Sequence, residues 1–329
     1  MKLERLEVVP YALPFREPYV TARGRLARRE LVLVRAHSGG LVGLGETAPL
    51  SLRGGEPLAA IVADLEQNGA DAVSLPARAA IEVALLDLAG QAAGQPAWRV
   101  LGASEARPVE CNATLTAGPP DEVAEQARIW AKGGFRTFKL KCGMDGDVEQ
   151  AAAVRAALDP DARLRVDANG AWSVDQAADR LAAMGDLELA EQPVATLAEL
   201  RALSELTDVP LAADESVTGP GDARSAAKAC RYATVKLAKV GGPAAALRIA
   251  RELPVYMSSA LEGPVGIAAA AHVAMALPEP GIAHGLATSL LFVDTVGRGA
   301  ELEGPMLRVS DGAGLGVEID ERALARLRI

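Results

Sequence analysis

Apolar and polar positions alternate in short runs over the first fifty residues, as in "ELVLVRAHSGGLVGLGE", where Gly39 and Gly40 mark a turn. This period of two predicts an antiparallel meander. From about residue 57 to 101 the spacing changes to three and four. The clearest stretch, "PARAAIEVALLDLAGQAAGQPAWRVLG", reads as a helix stopped by Gly94 and Pro96. After Pro108 short β-rich runs begin roughly every 20 to 28 residues: "VECNATLT", "FRTFKLKC", "RLRVDAN", "LELAEQP", "PLAADES", "TVKLAK", "VYMSSA" and "IAHGLAT". Ala-rich amphipathic segments such as "DEVAEQARIWAKGG" and "SVDQAADRLAAMG" lie between them, opened by Asp or Ser and closed by Gly. Strand, helix, strand at that spacing predicts parallel strands with crossover helices.

Eight such runs close naturally into a (β/α)8-type barrel with a modified last unit, because the final forty residues carry strand-like "MLRVSDGAGLGVEI". The expected fold is therefore α/β: an α+β capping domain over 1–106, a catalytic barrel over 107–288, and a segment over 289–329 returning to the cap. An open doubly wound sheet is the alternative. The even repeat and the lack of a Gly-rich phosphate loop after the first strand weigh against it.

Chemistry should collect at the C-terminal ends of barrel strands. The second strand ends in Lys139 and Lys141, the third in Asp167 and Asn169, the fourth in Glu191, the fifth in Asp214 and Glu215, and the sixth carries Lys236 and Lys239. Any one acid after a strand is commonly the cap of the next helix. Asp167, Glu191 and Asp214 on neighbouring strands are different, because three carboxylates in one desolvated mouth would repel and raise each other's pKa. A hard divalent cation removes that conflict, and an oxygen-only donor set with no His or Cys suits Mg²⁺, with Mn²⁺ as a substitute. Lys141 and Lys236 would then face each other across the barrel, with Lys139 as a like charge that helps to free an amine of its proton. A base opposite a divalent cation suits removal of the proton α to a carboxylate.

The 329 residues carry a net charge of −9 and only 3% aromatics, which excludes a basic, aromatic nucleic-acid surface. No apolar run is long enough to span a bilayer, and "MKLERLEVVPY" lacks the core of a signal peptide, so a cytoplasmic protein acting on a small carboxylate is expected. Cys111, Cys142 and Cys230 are odd in number and widely spaced, which suits buried hydrophobes rather than disulfides or zinc. Nothing in the sequence fixes an oligomeric state.

In that order and spacing, "KLK", "DANGAW", "EQP", "ADES" and "VKLAKVGG" resemble the enolase superfamily, specifically its muconate-lactonising subgroup. The resemblance implies Asp167, Glu191 and Asp214 as Mg²⁺ ligands, Lys141 as the base, Lys236 as the opposing lysine and Lys139 as its polarising neighbour. Asn169, Glu215 and Lys239 would support them from behind. The family's cap closes over the barrel, which implies substrate contacts from "REPYVTARGRLARRE", with Arg23 and Gly24 as candidates. Ser258 and Ser259, with the backbone from Gly263 to Gly266 opening a helix, would receive a carboxylate. Dipeptide epimerases of the subgroup carry an Asp-x-Asp pair at the end of strand eight. Here "AHGLATSLL" has no acid until Asp294.

Overall fold

The computed structural model describes residues 3–329. Its N-terminal part is an antiparallel sheet of β1 (Arg5–Thr21), β2 (Gly24–Ser38) and β3 (Leu41–Thr47), with the tight turn at Gly39 and Gly40, where φ is +57° and +78°. Alternation along β2 divides its side chains between two cores. Val32, Val34 and Ala36 face the helices Leu58–Asn68 and Leu75–Ala93, whereas Leu31 and Leu33 join the large core that continues into the barrel. The second helix lies against β3 at backbone contact. A Cβ on Gly43 or Gly45 would come within 2.2 or 2.0 Å of the carbonyl oxygens of Ala84 and Ala80. The helix is capped by the Ser74 hydroxyl at one end and, as the sequence pattern predicts, by Gly94 in the left-handed conformation at the other.

A short β4 (Val109–Glu110) leads into the barrel, whose strands are β5 (Ala113–Leu115), β6 (Thr137–Lys141), β7 (Arg163–Asp167), β8 (Leu189–Glu191), β9 (Leu211–Ala213), β10 (Tyr232–Val235) and β11 (Val255–Met257). These seven run parallel and pair in chain order. Helices cross between them, and two open with capping boxes, Ser173 with Gln176 and Thr196 with Glu199. The helix Pro120–Lys132 instead begins at a proline, and Asp121 lies in its first turn rather than at its cap.

Two expectations are corrected at the barrel's end. The eighth strand shrinks to His284 and Gly285, which bridge Cys111 on one side and Ser258 on the other. Four backbone bonds close this seam: His284 donates to Glu110, Asn112 to His284, Gly285 to Met257 and Ser259 to Gly285. The His284 imidazole adds a fifth by accepting the Met257 N–H at 2.9 Å. "TVKLAK" also stops being a strand at Val235, because Lys236 opens a four-residue helix, Leu237–Val240, that carries Lys239. Beyond the seam, the hairpin Glu301–Glu303 and Met306–Arg308 pairs with β4, and Arg328 and Phe292 bridge Tyr11 and Phe15 of β1. The three cysteines are buried and free.

Glu46 of β3 joins the cap to the barrel. Its carboxylate accepts from the Tyr11 hydroxyl and, at 2.7 Å, from the N–H of Gly266 in the first turn of the helix Pro264–Ala276. Burial pushes the Glu46 carboxyl up to about 7, against the pull of Tyr11 and Gly266 and with some help from Glu262. Its folded pKa thus exceeds the ordinary 4.5. A carboxyl that holds its proton more tightly when folded contributes most below its unfolded pKa and loses that contribution as pH rises through the folded one. Relative to Glu46→Gln, the wild-type protein is therefore expected to gain on the order of 2 kcal/mol between pH 8 and pH 5. Urea unfolding of both proteins across that range checks it. Parallel curves would show that Glu46 is not the titrating group.

Candidate active site

Parallel register places the charged ends of the strands side by side. Lys141 is level with Asp167, and Asp167 with Glu191, while Asp214 follows directly after β9. Residues two apart share a face, so Lys139 and Lys141 both point into the barrel, and Arg165 stands below Asp167 on the same face. All of these side chains are buried, as are Lys236 and Lys239.

Carboxylates receive the like-charged lysines. Lys141 Nζ lies 2.6 Å from Asp167 Oδ2 and 3.2 Å from Asn169 Oδ1. Lys139 Nζ lies 3.0 Å from Glu191 Oε2 and 3.5 Å from Asp167 Oδ2. Lys236 pairs with Asp214 Oδ2, and Lys239 with Asp214 Oδ1 at 2.8 Å while also donating to the Thr234 carbonyl at 2.9 Å. Behind this layer Asn169 donates to Glu215 at 3.0 Å. Gln192, in a left-handed conformation at φ +37°, accepts the Asp214 N–H at 2.8 Å and so fixes the start of that loop.

Burial alone would raise the Asp167 carboxyl, but Lys141, then Lys139 and Lys236, hold it well below the carboxylate range. Burial and the neighbouring Asp167 raise Glu191. Burial would lower Lys139, yet Glu191 and Asp167 outweigh it and raise its pKa despite Lys141. For Lys139 the pull of the neighbouring carboxylates is thus stronger than the like-charge repulsion of Lys141.

A cavity lies between this mouth and the cap. Its wall includes Lys139, Lys141, Asn169, Lys236, Ser258 and Ser259 from the barrel, and Tyr19, Thr21, Arg23, Arg29 and Leu50 to Leu52 from the cap. The sequence-based candidates divide accordingly. Arg23 reaches the cavity and donates to the Asn169 carbonyl at 3.0 and 2.7 Å, tying the β1–β2 turn to the barrel, whereas Gly24 does not line the wall. Gly263 and Gly266 also lie outside it. Their helix end carries the Glu46 carboxylate, and a Cβ on Gly263 would come within 2.3 Å of the Tyr11 hydroxyl. Ser259 is oriented by its own bond to Glu262 at 2.8 Å.

Arg29, Arg165 and Tyr256 escaped the sequence reading. Arg29 is buried at the cavity wall and donates to the carbonyls of Pro49 and Ala260 at 2.5 and 2.7 Å. Tyr256 donates to Glu191 Oε2 at 2.6 Å and carries Arg165 over its ring at 5.3 Å. For Arg165 the available signal was its place two residues before Asp167, on the same face of one strand.

Among the described residues, no group of three His, Cys, Asp or Glu side chains is drawn together tightly enough to hold a metal ion, because each carboxylate is turned to an ammonium group. The residues nonetheless fit one. Glu191 Oε1 is buried with no hydrogen-bond partner, and an all-oxygen set on three adjacent strands suits a hard divalent cation. A family model described as enolase C-terminal domain-like matches residues 122–323.

This chain belongs to the enolase superfamily.

Within the enolase superfamily the relatives divide among reactions. The o-succinylbenzoate synthase of Thermobifida fusca (strain YX) is 41% identical over 67% of this chain and 71% of its own. The hydrophobic dipeptide epimerase of Enterococcus faecalis (strain ATCC 700802 / V583) is 31% identical over 96% of this chain and 99% of its own. The crystal structure of N-succinyl Arg/Lys racemase from Bacillus cereus ATCC 14579 superposes with a TM-score of 0.94 at 25% identity, covering 100% of this chain and 98% of that one.

The ion-pair network makes a stability prediction. Asp214→Asn removes the carboxylate that Lys236 and Lys239 share. In urea unfolding it is expected to cost about 3–5 kcal/mol, the usual penalty for breaking a buried pair from one side. Removing the exposed Asp159 partner of Arg136 should cost less than about 1 kcal/mol. Equal costs would mean that the buried network does not constrain the fold.

Proposed function

We propose that the protein is an o-succinylbenzoate synthase, dehydrating 2-succinyl-6-hydroxy-2,4-cyclohexadiene-1-carboxylate to 2-succinylbenzoate in menaquinone biosynthesis. The observation that carries this reading is the charge of the cavity. Among the described residues its wall holds Arg23, Arg29, Lys139, Lys141 and Lys236 and no Asp or Glu. Such a wall suits a substrate with two carboxylates and offers no acid to hold the free amine of a dipeptide. "MSSALEGPVGI" and "HGLATSLLFVDTV" also resemble the synthases, and the Thermobifida fusca relative supports the assignment.

In this reading Asp167, Glu191 and Asp214 hold Mg²⁺, or Mn²⁺ in its place. The ion, when bound, would supply positive charge to the substrate carboxylate as the electron pair of the broken C–H bond delocalises onto it. Lys141, in its neutral form, takes the ring proton α to that carboxylate. Lys236, across the barrel, donates to the enediolate as charge develops. The ammonium of Lys141 then returns its proton to the departing hydroxyl, water leaves, and the ring becomes aromatic. Lys139 offers a second donor beside Lys141, and Asn169, Glu215 and Lys239 hold the reacting groups in place. Ser258, Ser259 and the Arg23 turn shape the substrate end of the cavity. The domain division proposed here is 1–106, 107–288 and 289–329, and the return of the last segment to the cap is supported by the bridges of Phe292 to Phe15 and Arg328 to Tyr11.

A second reading, N-succinylamino acid racemase, is favoured by the same two lysines on opposite sides of one cavity and by the Bacillus cereus likeness. It needs only a one-proton exchange and the same dianionic substrate class.

Loss of the cyclohexadiene absorbance on addition of enzyme and Mg²⁺, and its arrest by chelator, is the expected result. Lys141→Ala is expected to lower kcat at least ~10³-fold, as removal of a general base does. Absent turnover with this substrate, but α-proton exchange of N-succinylamino acids in deuterated water, would establish the racemase instead.

A further inference from the structure

Glu191 is held unevenly. Its Oε2 receives the Tyr256 hydroxyl at 2.6 Å and Lys139 Nζ at 3.0 Å, while Oε1 is buried without a partner. The Tyr256 hydroxyl is itself fixed, because Thr234 Oγ1 donates to it at 2.6 Å. Arg165 covers the ring at 5.3 Å and is anchored by Glu188 and by the Ala283 carbonyl. The phenol thus sits in the barrel interior on a built support, beneath the carboxylate and away from the cavity, whose wall does not include it.

We propose that Tyr256 is a positioning residue for the metal site: its hydroxyl pins Oε2 of Glu191, so that Oε1 is the oxygen presented to the divalent cation. This rests on the reading of Glu191 as a ligand. A carboxylate free to rotate about its last bond must lose that freedom on binding, whereas one already clamped at Oε2 does not. Lys139 alone would not hold it, because a lysine on a flexible stem can turn between Glu191 and Asp167, and it contacts both. Tyr256 belongs to β11 and Glu191 to β8, so the clamp also sets the distance between non-adjacent staves of the barrel.

The test is isothermal titration of the metal-free protein with MgCl₂, for wild type and Tyr256→Phe, with circular dichroism to establish that both are folded. The expected result is a Kd for Mg²⁺ raised about 10- to 100-fold in the variant, the range seen when a ligand loses its outer partner. Turnover at saturating Mg²⁺ is expected to recover toward wild type, which a merely structural defect would not allow. Equal Kd values in the two proteins overturn the role of Tyr256 and leave the metal site standing. A wild-type protein that binds no Mg²⁺ overturns both together. If Tyr256→Phe does not fold, Thr234→Val takes its place by loosening the phenol without removing it. A raised Kd then supports the clamp, and an unchanged one overturns it.

Discussion

Lys139, Lys141, Lys236 and Lys239 share a water-poor barrel mouth with Asp167, Glu191 and Asp214, and no member of this set is tolerable alone. Each ammonium group finds an acid delivered by a neighbouring barrel unit, which is possible because parallel register brings the ends of β6, β7 and β8 level. The strands therefore cannot slip by one residue without turning several charges outward and leaving their partners unpaired. Fold and site are in this sense one constraint. The register needed for burying charge is also the register that brings the amines of Lys139, Lys141 and Lys236 to one cavity, with the carboxylates behind them.

The cap depends on the same barrel in a different way. Its sheet is buried on both faces, by its own helices and by the continuous core, so it cannot drift from the barrel without exposing Leu31, Leu33 and their neighbours. Glu46 adds direction to that adhesion. By meeting the first turn of the helix Pro264–Ala276, it satisfies the Gly266 N–H, which has no partner within the helix. The charged groups that line the cavity are instead side chains, Arg23 and Arg29 from the cap and Lys139, Lys141 and Lys236 from the barrel.

Most of the fold was legible because it rests on local period: two in β1 to β3, three and four in the helix Leu75–Ala93, and the regular return of short strands. The charged positions were legible for the same reason, since Lys139 and Lys141 lie two apart on one strand. What escaped was decided by contacts between distant segments. No local pattern in "PYALPFREP" or "LGETAP" tells that Tyr11 meets Glu46 or that Glu46 meets Gly266, and that meeting is what fills the helix end with a carboxylate. Tyr256 looked like any aromatic in a buried strand until Glu191 was found above it. The eighth strand failed for a physical reason as well, because the chain leaves the barrel after Gly285 to cover the cap.

That shortened strand gives His284 a task its sequence context conceals. A full stave would offer peptide carbonyls along its length, but a two-residue one offers few, and the imidazole Nδ1 takes the place of one by accepting the Met257 N–H. Burial, with Arg165 and Arg107 nearby, pushes the His284 pKa down to about 3, so the ring remains an acceptor throughout the neutral range. The cylinder is thus welded shut by a heterocycle standing in for backbone, and its joint does not titrate in the neutral range.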